Sequence, residues 1–292
     1  MYRFLLKPRW ILSHLFVLAC VVAMVSAGLW QLRRLEERKD ANAEIRAAGA
    51  LPTAPIDDVV PWGPQATAEE VGAVQWRSVS VTGTYLPDDQ VLVSNRTYEG
   101  APGYWVITPL VQADGTAVAV NRGWVPYDVQ PDGPWDRFAP PSGPVTVTGQ
   151  IRGAQVRSSG LVEGPSDAGE GDVRVLARVD VGRLQQQVDP ALYPLYVDLR
   201  TQSPAQPDAV PVPIPEPELG EGPHLGYAGQ WFIFAILTVT VYPLLLRRVA
   251  RNRARDERGE GPDPHDLDLD DLDVPPGDDP RVPDRPDLSV AP

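Results

Sequence analysis

With 292 residues and one cysteine, the chain has room for one or two domains but cannot form an intramolecular disulfide or a CxxC metal or redox pair. Its net charge of -13 does not describe the whole chain, because 13 acidic and 3 basic residues between positions 256 and 287 supply -10 of it. Two methionines exclude a thioether copper site, and the acidic balance argues against nucleic acid as a partner.

The first predicted element is a transmembrane helix at residues 11–32, which follows a cytoplasmic segment, 1–10. Residues 11–29 carry no charge, and a helix needs about 20 apolar residues to cross the hydrocarbon core. The alternative is a cleaved signal peptide, since basic residues precede the run. However, the run exceeds the roughly 7–15 apolar residues of a signal peptide and continues into Trp30 and Gln31 without a small-residue cleavage site. The pattern therefore favours an uncleaved span.

Residues 33–74 are predicted to be a helical extension of this span followed by a linker. The segment 33–48 is rich in helix-forming side chains. Prolines between residues 51 and 64 are expected to end the helix.

From residue 75 to 202 the sequence predicts a mainly β domain of the α+β class, built as an antiparallel sheet or a small barrel. An Asp-Gly pair at residues 114–115 predicts a hairpin turn. Asp180 is expected to cap a short helix at 180–188. Alternating polar and apolar residues predict strands at 76–85, 91–96, 104–111, 117–124, 145–152, 173–179 and 195–199.

A proline-rich linker at 203–223 leads to a second predicted span at 224–246, and residues 247–292 form a basic stretch and a disordered acidic tail. Six arginines between residues 247 and 258 indicate that this side faces the cytoplasm. Two spans then put both termini in the cytoplasm and the β domain outside it. We therefore predict a two-span, α-helical protein of the plasma membrane with an extracytoplasmic β domain.

The predicted β domain lacks the residues that most enzymes use for acid–base catalysis. The three histidines lie at positions 14, 224 and 265, outside the domain, so a Ser-His-Asp arrangement there is not available. No glycine-rich nucleotide loop is present. The adjacent acids at 57–58 and 88–89 are typical of solvated turns. The sequence therefore predicts a protein that is not an enzyme.

His224, at the start of the second span, is a candidate haem ligand, since imidazole commonly ligates haem iron. Tyr227 and Trp231 in the following turns could flank a porphyrin, and Arg33 and Arg34 could face its propionates. The alternative is that His224 is an ordinary interfacial residue and that the arginines extend towards the headgroups. His14, inside the first span, is expected to face a partner helix.

A second group of residues lies where predicted strands end, and we call it the central motif. Arginines can tie loops together through several donors, and glycines permit tight backbone turns. The group could therefore be structural scaffolding, or it could contact a partner directly. Its members are Asn95, Arg96, Gly103, Asn121, Arg122, Gly123 and Trp124.

Taken together, these motifs resemble those of the surfeit locus protein 1 family over residues 10–250. Gly28-Leu29-Trp30-Gln31 with Arg34 and Arg38 is similar to the family's GxWQxxRxxxK signature, with arginine in place of the usual last lysine. His224-Leu-Gly-Tyr-Ala-Gly-Gln-Trp-Phe232 is similar to its HLxYAxQWF block. The central blocks of the family resemble Asn95-Arg96, Gly103-Tyr104, Thr108-Pro109-Leu110 and the run from Asn121 to Pro126.

The resemblance implies an assembly factor for haem-copper cytochrome c oxidase, acting around haem a delivery or insertion into subunit I. It implies haem a as a transient cofactor, with His224 as its ligand and Trp30, Gln31 and Arg34 beside it. The expected partners are oxidase subunit I and haem a synthase, in the membrane. Two other functions stay open: a membrane scaffold that binds no cofactor, and an envelope sensor or interaction protein.

Overall fold

A computed structural model of the chain describes residues 3–129, 133–155, 171–206 and 210–259. Its backbone contacts divide it into two units. The helical unit lies within Met1–Leu35 and Gly222–Pro292, and the β unit is Glu36–Glu221. The acidic tail beyond residue 259, predicted to be disordered, lies outside the described residues.

Within the described residues the chain forms five α-helices and eight strands, joined by turns and short 3-10 helices. The helices are α1 (Pro8–Gly49), α2 (Ile56–Val59), α3 (Ala68–Ala73), α4 (Val181–Gln185) and α5 (His224–Asp256). The strands are β1 (Ala54–Pro55), β2 (Ser78–Tyr85), β3 (Val91–Tyr98), β4 (Ala101–Val111), β5 (Ala117–Pro126), β6 (Pro144–Gly153), β7 (Val175–Leu176) and β8 (Leu192–Ser203).

Helices α1 and α5 are each long and apolar enough to cross a membrane, with mean hydropathies of 2.2 and 1.7 over 18 residues. The predicted extension at 33–48 is helical, because α1 is one continuous helix of 42 residues. Helix α5 likewise continues past the predicted end of its span, through the arginine-rich segment. Both predicted spans thus correspond to apolar parts of longer helices.

The strands of the β unit pair in a closed ring, which is the small-barrel form of the prediction. The order β2-β6-β8-β5-β4 closes because the end of β4 also pairs with β2, at Thr84 with Val111 and Tyr85 with Leu110. Strand β3 pairs with the other part of β4 and carries β7 at its edge.

The sheet is mixed, which corrects the antiparallel part of the prediction of an antiparallel sheet or a small barrel. Strand β8 pairs antiparallel with β6 but parallel with β5. The pairs β1–β2 and β3–β7 are also parallel. A parallel neighbour needs a long crossover connection, and here β6 and α4 lie in the chain between β5 and β8.

The main core of the β unit lies inside this ring, where alternate strand residues are apolar and fully buried. Residues 56–74, assigned from sequence to the extension and linker, also supply side chains to this core. Helix α3 begins with a capping box, in which Thr67 Oγ1 accepts from the Glu70 amide and the Glu70 carboxylate accepts from the Thr67 amide. Core side chains from this segment are Ile56, Val59, Val60, Ala66 and Val71.

The predicted local elements are present, with different lengths. The last strand, predicted at 195–199, is longer in the structure and forms β8. The strand predicted at 173–179 is shorter and forms only the two residues of β7. The predicted helix at 180–188 is the shorter α4, and Asp180 caps it by accepting from the Arg183 amide at 2.9 Å. The hairpin predicted from the Asp-Gly pair at residues 114–115 is observed as the antiparallel pair β4–β5.

The described parts of the proline-rich linker lie against the β unit. Val212 exchanges two backbone hydrogen bonds with Trp124, of 2.7 and 2.8 Å. Near the end of the linker, the carbonyls of Leu219 and Gly220 both accept from the Asn42 side chain of α1 at 3.2 Å. The segment is thus held by specific contacts within the β unit and is not a free spacer.

Candidate functional site

The predicted ligand His224 and the predicted companion Gln31 meet where α1 and α5 pair. His224 Nδ1 lies 2.9 Å from Gln31 Oε1. An amide oxygen only accepts hydrogen bonds, so Nδ1 is the donor. An imidazole that donates through Nδ1 has Nε2 as its nitrogen for a metal, which is the arrangement found in metal-ligating histidines. We call His224, Gln31, Trp30, Tyr227 and Trp231 the His224 site.

Small residues bring the two helices close together next to this hydrogen bond. A Cβ atom on Gly28, one turn before Gln31, would lie 2.8 Å from the Phe232 ring. Ala228 and Ala235 of α5 are buried in the helical unit. Small residues at helix interfaces allow close backbone approach in membranes. Gly28 therefore allows α1 and α5 to approach closely beside the Gln31–His224 contact.

The free edge of the His224 ring faces a glycine. A Cβ atom on Gly222 would lie 3.3 Å from both Cδ2 and Nε2 of His224. Gly222 also has a φ of +72°, a conformation that residues with a side chain rarely adopt. Glycine at this position leaves the space beside Nε2 open.

Three aromatic rings of the site are exposed in the helical unit. Trp30, Tyr227 and Trp231 are 54%, 49% and 37% exposed. Trp231 makes an edge contact with Phe234, with ring centroids 6.3 Å apart. Arg34, one turn beyond Gln31, is also exposed. Aromatic side chains in this setting can lie in the membrane interface or pack on a flat apolar ligand.

These features satisfy the basic requirements for a haem ligand at His224. The imidazole is oriented by Gln31, and the space beside Nε2 is one that a Cβ atom on Gly222 would fill. Exposed rings and a guanidinium lie on the neighbouring turns. The donor set thus fits single-histidine ligation of a porphyrin-bound iron.

Arg122 of the central motif is deeply buried in the β unit, with 1% of its surface exposed. Nη1 donates to Gln90 Oε1 and to the Phe138 carbonyl, both at 2.9 Å. Nη2 donates to the Ala139 carbonyl and to Gln206 Oε1. All four acceptors are neutral, and burial lowers the pKa of Arg122 to about 10.

Asn121 connects the motif to a buried carboxylate. Its Nδ2 donates to Asp198 Oδ1 at 2.8 Å, and its own Oδ1 accepts from the Gly123 amide. Arg152 Nε lies 3.6 Å from Asp198 Oδ2. Burial raises the pKa of Asp198, although Arg152 and the Asn121 hydrogen bond act in the opposite direction.

The remaining members of the motif contact one another. Trp124 Nε1 donates to the Arg96 carbonyl at 3.1 Å. A Cβ atom on Gly103 would lie 2.5 Å from the Trp124 ring, so only glycine fits beneath it. Asn95 has a φ of +57° and its amide donates to Tyr127. The structure therefore places the central motif in contacts within the β unit, as scaffolding requires.

Two polar clusters were not predicted from the sequence. Gln90 is buried and its Oε1 accepts from both Arg122 and Thr108. In the helical unit, the Tyr242 hydroxyl lies 2.6 Å from His14 Nδ1 and 3.0 Å from Ser13 Oγ. His14 thus contacts the other helix, as expected, but its partner could not be identified because nothing local relates residue 14 to residue 242.

Comparison with known proteins places these features in a family. The SURF1 family model matches residues 18–236 of the chain. A SURF1-like protein of Mycobacterium tuberculosis is 28% identical over 260 residues, covering 89% of this chain and 91% of that protein. One of Monosiga brevicollis is 26% identical over 260 residues, covering 82% and 88%. One of Rickettsia felis is 29% identical over 117 residues, covering 38% and 46%. The matched range contains both the His224 site and the β unit.

Proposed function

The chain belongs to the SURF1 family, and from this membership we propose that it is an assembly factor for haem-copper cytochrome c oxidase. It acts around the delivery of haem a to subunit I or its insertion there. The observation that carries the haem part of the proposal is the 2.9 Å hydrogen bond between His224 Nδ1 and Gln31 Oε1. That bond prepares Nε2 as a ligand before any cofactor arrives.

Each residue of the site has a role in this proposal. His224 ligates the iron through Nε2, and Gln31 fixes the ring and its tautomer. Trp30, Tyr227 and Trp231 cover the macrocycle, and Arg34 pairs with a propionate. When bound, haem a supplies the redox-active iron of the oxidase, while this chain only holds and orients it. We propose that the chain catalyses no reaction of its own.

The proposed location is the plasma membrane, with α1 and α5 spanning it. The arginines after the apolar part of α5 support a cytoplasmic C-terminus. The β unit is then extracytoplasmic, where it docks on oxidase subunit I or on the haem a synthase. A site at the outer ends of the spans would lie beside those membrane partners.

The test is the absorption spectrum of the full-length protein, purified after co-expression with the haem a biosynthetic enzymes. We expect wild-type protein to carry a Soret band and His224→Ala to lose it. His265→Ala, in the tail, is the matched control and keeps the band. If His224→Ala retains the wild-type spectrum and supports oxidase maturation, the ligand assignment is wrong.

A scaffold that binds no cofactor is the second candidate, and one observation favours it. The same Gln31–His224 bond would pair the two helices even if no haem were ever bound. This alternative predicts normal contacts with oxidase subunits and no haem in the purified protein when haem a is supplied. An envelope sensor is a third function, supported if deletion of the gene leaves oxidase activity intact.

A further inference from the structure

A groove in the helical unit has no role in the function proposed so far. Its volume is about 360 Å³, and its walls are mainly aliphatic. The two hydroxyls in its lining already have partners, since Thr238 donates to the Phe234 carbonyl and Tyr242 bonds to Ser13 and His14. The groove therefore suits an apolar occupant. It is lined by Val17, Leu237, Thr238, Val241, Tyr242 and Leu245.

An apolar stripe along α5 connects the groove to the His224 site. Residues spaced alternately by four and three lie on one face of a helix. This spacing holds from Tyr227, one turn after His224, to the groove. The large apolar members of the stripe are exposed in the helical unit, so it is a continuous surface. Its members are Tyr227, Trp231, Phe234, Thr238, Val241 and Leu245.

The distance along this stripe suits one kind of ligand. At 1.5 Å per residue, Thr238 and Val241 lie about 21 and 25 Å along the helix from His224. The half-width of a porphyrin plus an extended farnesyl chain is of the same length. We propose that the groove holds the isoprenoid tail of the haem whose iron His224 ligates. This inference rests on the proposed function and extends it, because it assigns a place in the structure to the isoprenoid tail of the haem.

A tethered tail has an advantage over a lipid acyl chain in this groove. Once the iron is bound at His224, the tail is present at high effective concentration beside the stripe. Lipid is as apolar as the groove, however, so the gain comes from packing and not from leaving water. We therefore expect the tail to increase affinity only about tenfold.

The experiment compares haem o with haem b, which differ only in the farnesyl-bearing substituent. Full-length protein in phosphatidylcholine nanodiscs is titrated with each haem, and the Soret change gives both dissociation constants. We expect wild-type protein to bind haem o about tenfold more tightly. Val241→Trp fills the groove, so it should bind haem o no better than haem b, while its affinity for haem b stays unchanged.

Two further variants control for folding and for position. Leu245→Trp fills the same groove and should give the same result as Val241→Trp. Ile236 is 64% exposed on α5 and does not line the groove. Ile236→Trp should therefore keep the wild-type preference for haem o. Unchanged haem b binding in each variant shows that the helical unit is intact.

The outcomes separate this inference from the proposed function. Equal wild-type affinities for haem o and haem b, with haem b binding dependent on His224, overturn the groove assignment alone and indicate a lipid-filled groove. A preference for haem o that survives Val241→Trp and Leu245→Trp overturns it as well. If neither haem binds, or if His224→Ala leaves haem b binding unchanged, the haem-binding function itself fails and the inference fails with it.

Discussion

Buried charges in the β unit are held mainly by neutral neighbours. Arg122 has four oxygen acceptors and no carboxylate among them. Asp198 has an amide and an arginine, yet burial still raises its pKa. Removing one partner of a buried polar network costs more than the network contributes, because the other partner keeps its desolvation penalty. This explains why the buried side chains of Asn121 and Asp198 are hydrogen-bonded to each other and why Arg122 is surrounded by four acceptors.

The raised pKa of Asp198 gives a pH-dependent prediction. A carboxyl group whose pKa is higher in the folded state destabilises the fold as pH rises above the ordinary value of 3.8. Asp198→Asn removes the charge and can still accept the Asn121 hydrogen bond. We expect the melting temperature of Asp198→Asn, relative to wild type, to be higher at pH 7 than at pH 4. Thermal unfolding in detergent measures both.

Asp114 provides a control of opposite sign. Hydrogen bonds from Thr116 lower the pKa of Asp114, so its charged form stabilises the turn. That stabilisation is present above the ordinary pKa and is lost as pH falls through the lowered one. The melting temperature of Asp114→Asn should therefore fall further below that of wild type at pH 7 than at pH 4. Parallel behaviour of the two variants would contradict the account.

At the scale of single residues, the sequence proposed candidate side chains but could not give their contacts. From the sequence, Gln31 and His224 were expected only to lie at the same level of the membrane, and their hydrogen bond was not predicted. The role of the central motif was left open between scaffolding and partner contact, and the acceptors of Arg122, which are Gln90 and the carbonyls of Phe138 and Ala139, come from distant segments. Hydrogen-bond partners depend on tertiary packing, which no local pattern encodes.

At the scale of elements, the pairing of α1 with α5 is most sensitive at Gly28. A methyl group there would come within 2.8 Å of Phe232 and push the helices apart. We expect Gly28→Ala to weaken haem binding about tenfold, since overpacking costs roughly 1–3 kcal/mol. Adding Phe232→Leu should restore most of the loss. Soret titration of both variants measures it, and no recovery in the double variant would argue against close packing as the cause.

The positions of the strands were the most predictable feature, and the pairing of one strand with another was the least predictable. The residue pattern identified β2 to β6 within a few residues, and the alternation is clearest in β2 and β6, where one face is buried. The parallel pairing of β5 with β8 was missed, because strand order depends on contacts far apart in sequence. Helices α2 and α3 were also missed among prolines, although Thr67 and Glu70 have the spacing of a capping box.

At the scale of the whole molecule, the chain passes between its two units after Leu35 and before Gly222. The part of α1 that lies in the β unit holds the segment just before Gly222, where the chain returns to the helical unit. Asn42 is 3% exposed and donates to the carbonyls of Leu219 and Gly220. Arg46 donates to the Leu219 carbonyl at 3.1 Å, and Lys39 lies 3.5 Å from Glu221. We call these contacts the α1 clamp.

The α1 clamp can be tested by proteolysis. Asn42→Ala removes two part-buried hydrogen bonds, and each contributes about 0.5–1.5 kcal/mol to local stability. We expect limited proteolysis to cut the 210–221 segment several-fold faster in this variant. Lys39→Ala, which removes only an exposed ion pair, should change the rate little. Equal cleavage of Asn42→Ala and wild type would show that the clamp does not hold the segment.

The most direct test of the account is the haem a content of oxidase subunit I in a deletion strain. The strain is complemented with the wild-type chain, with His224→Ala or with His265→Ala, and haem a is measured per purified oxidase. We expect full haem a occupancy with wild type and His265→Ala, and occupancy near that of the deletion strain with His224→Ala. Full occupancy with His224→Ala, expressed at wild-type level, would contradict a role for this histidine in haem delivery.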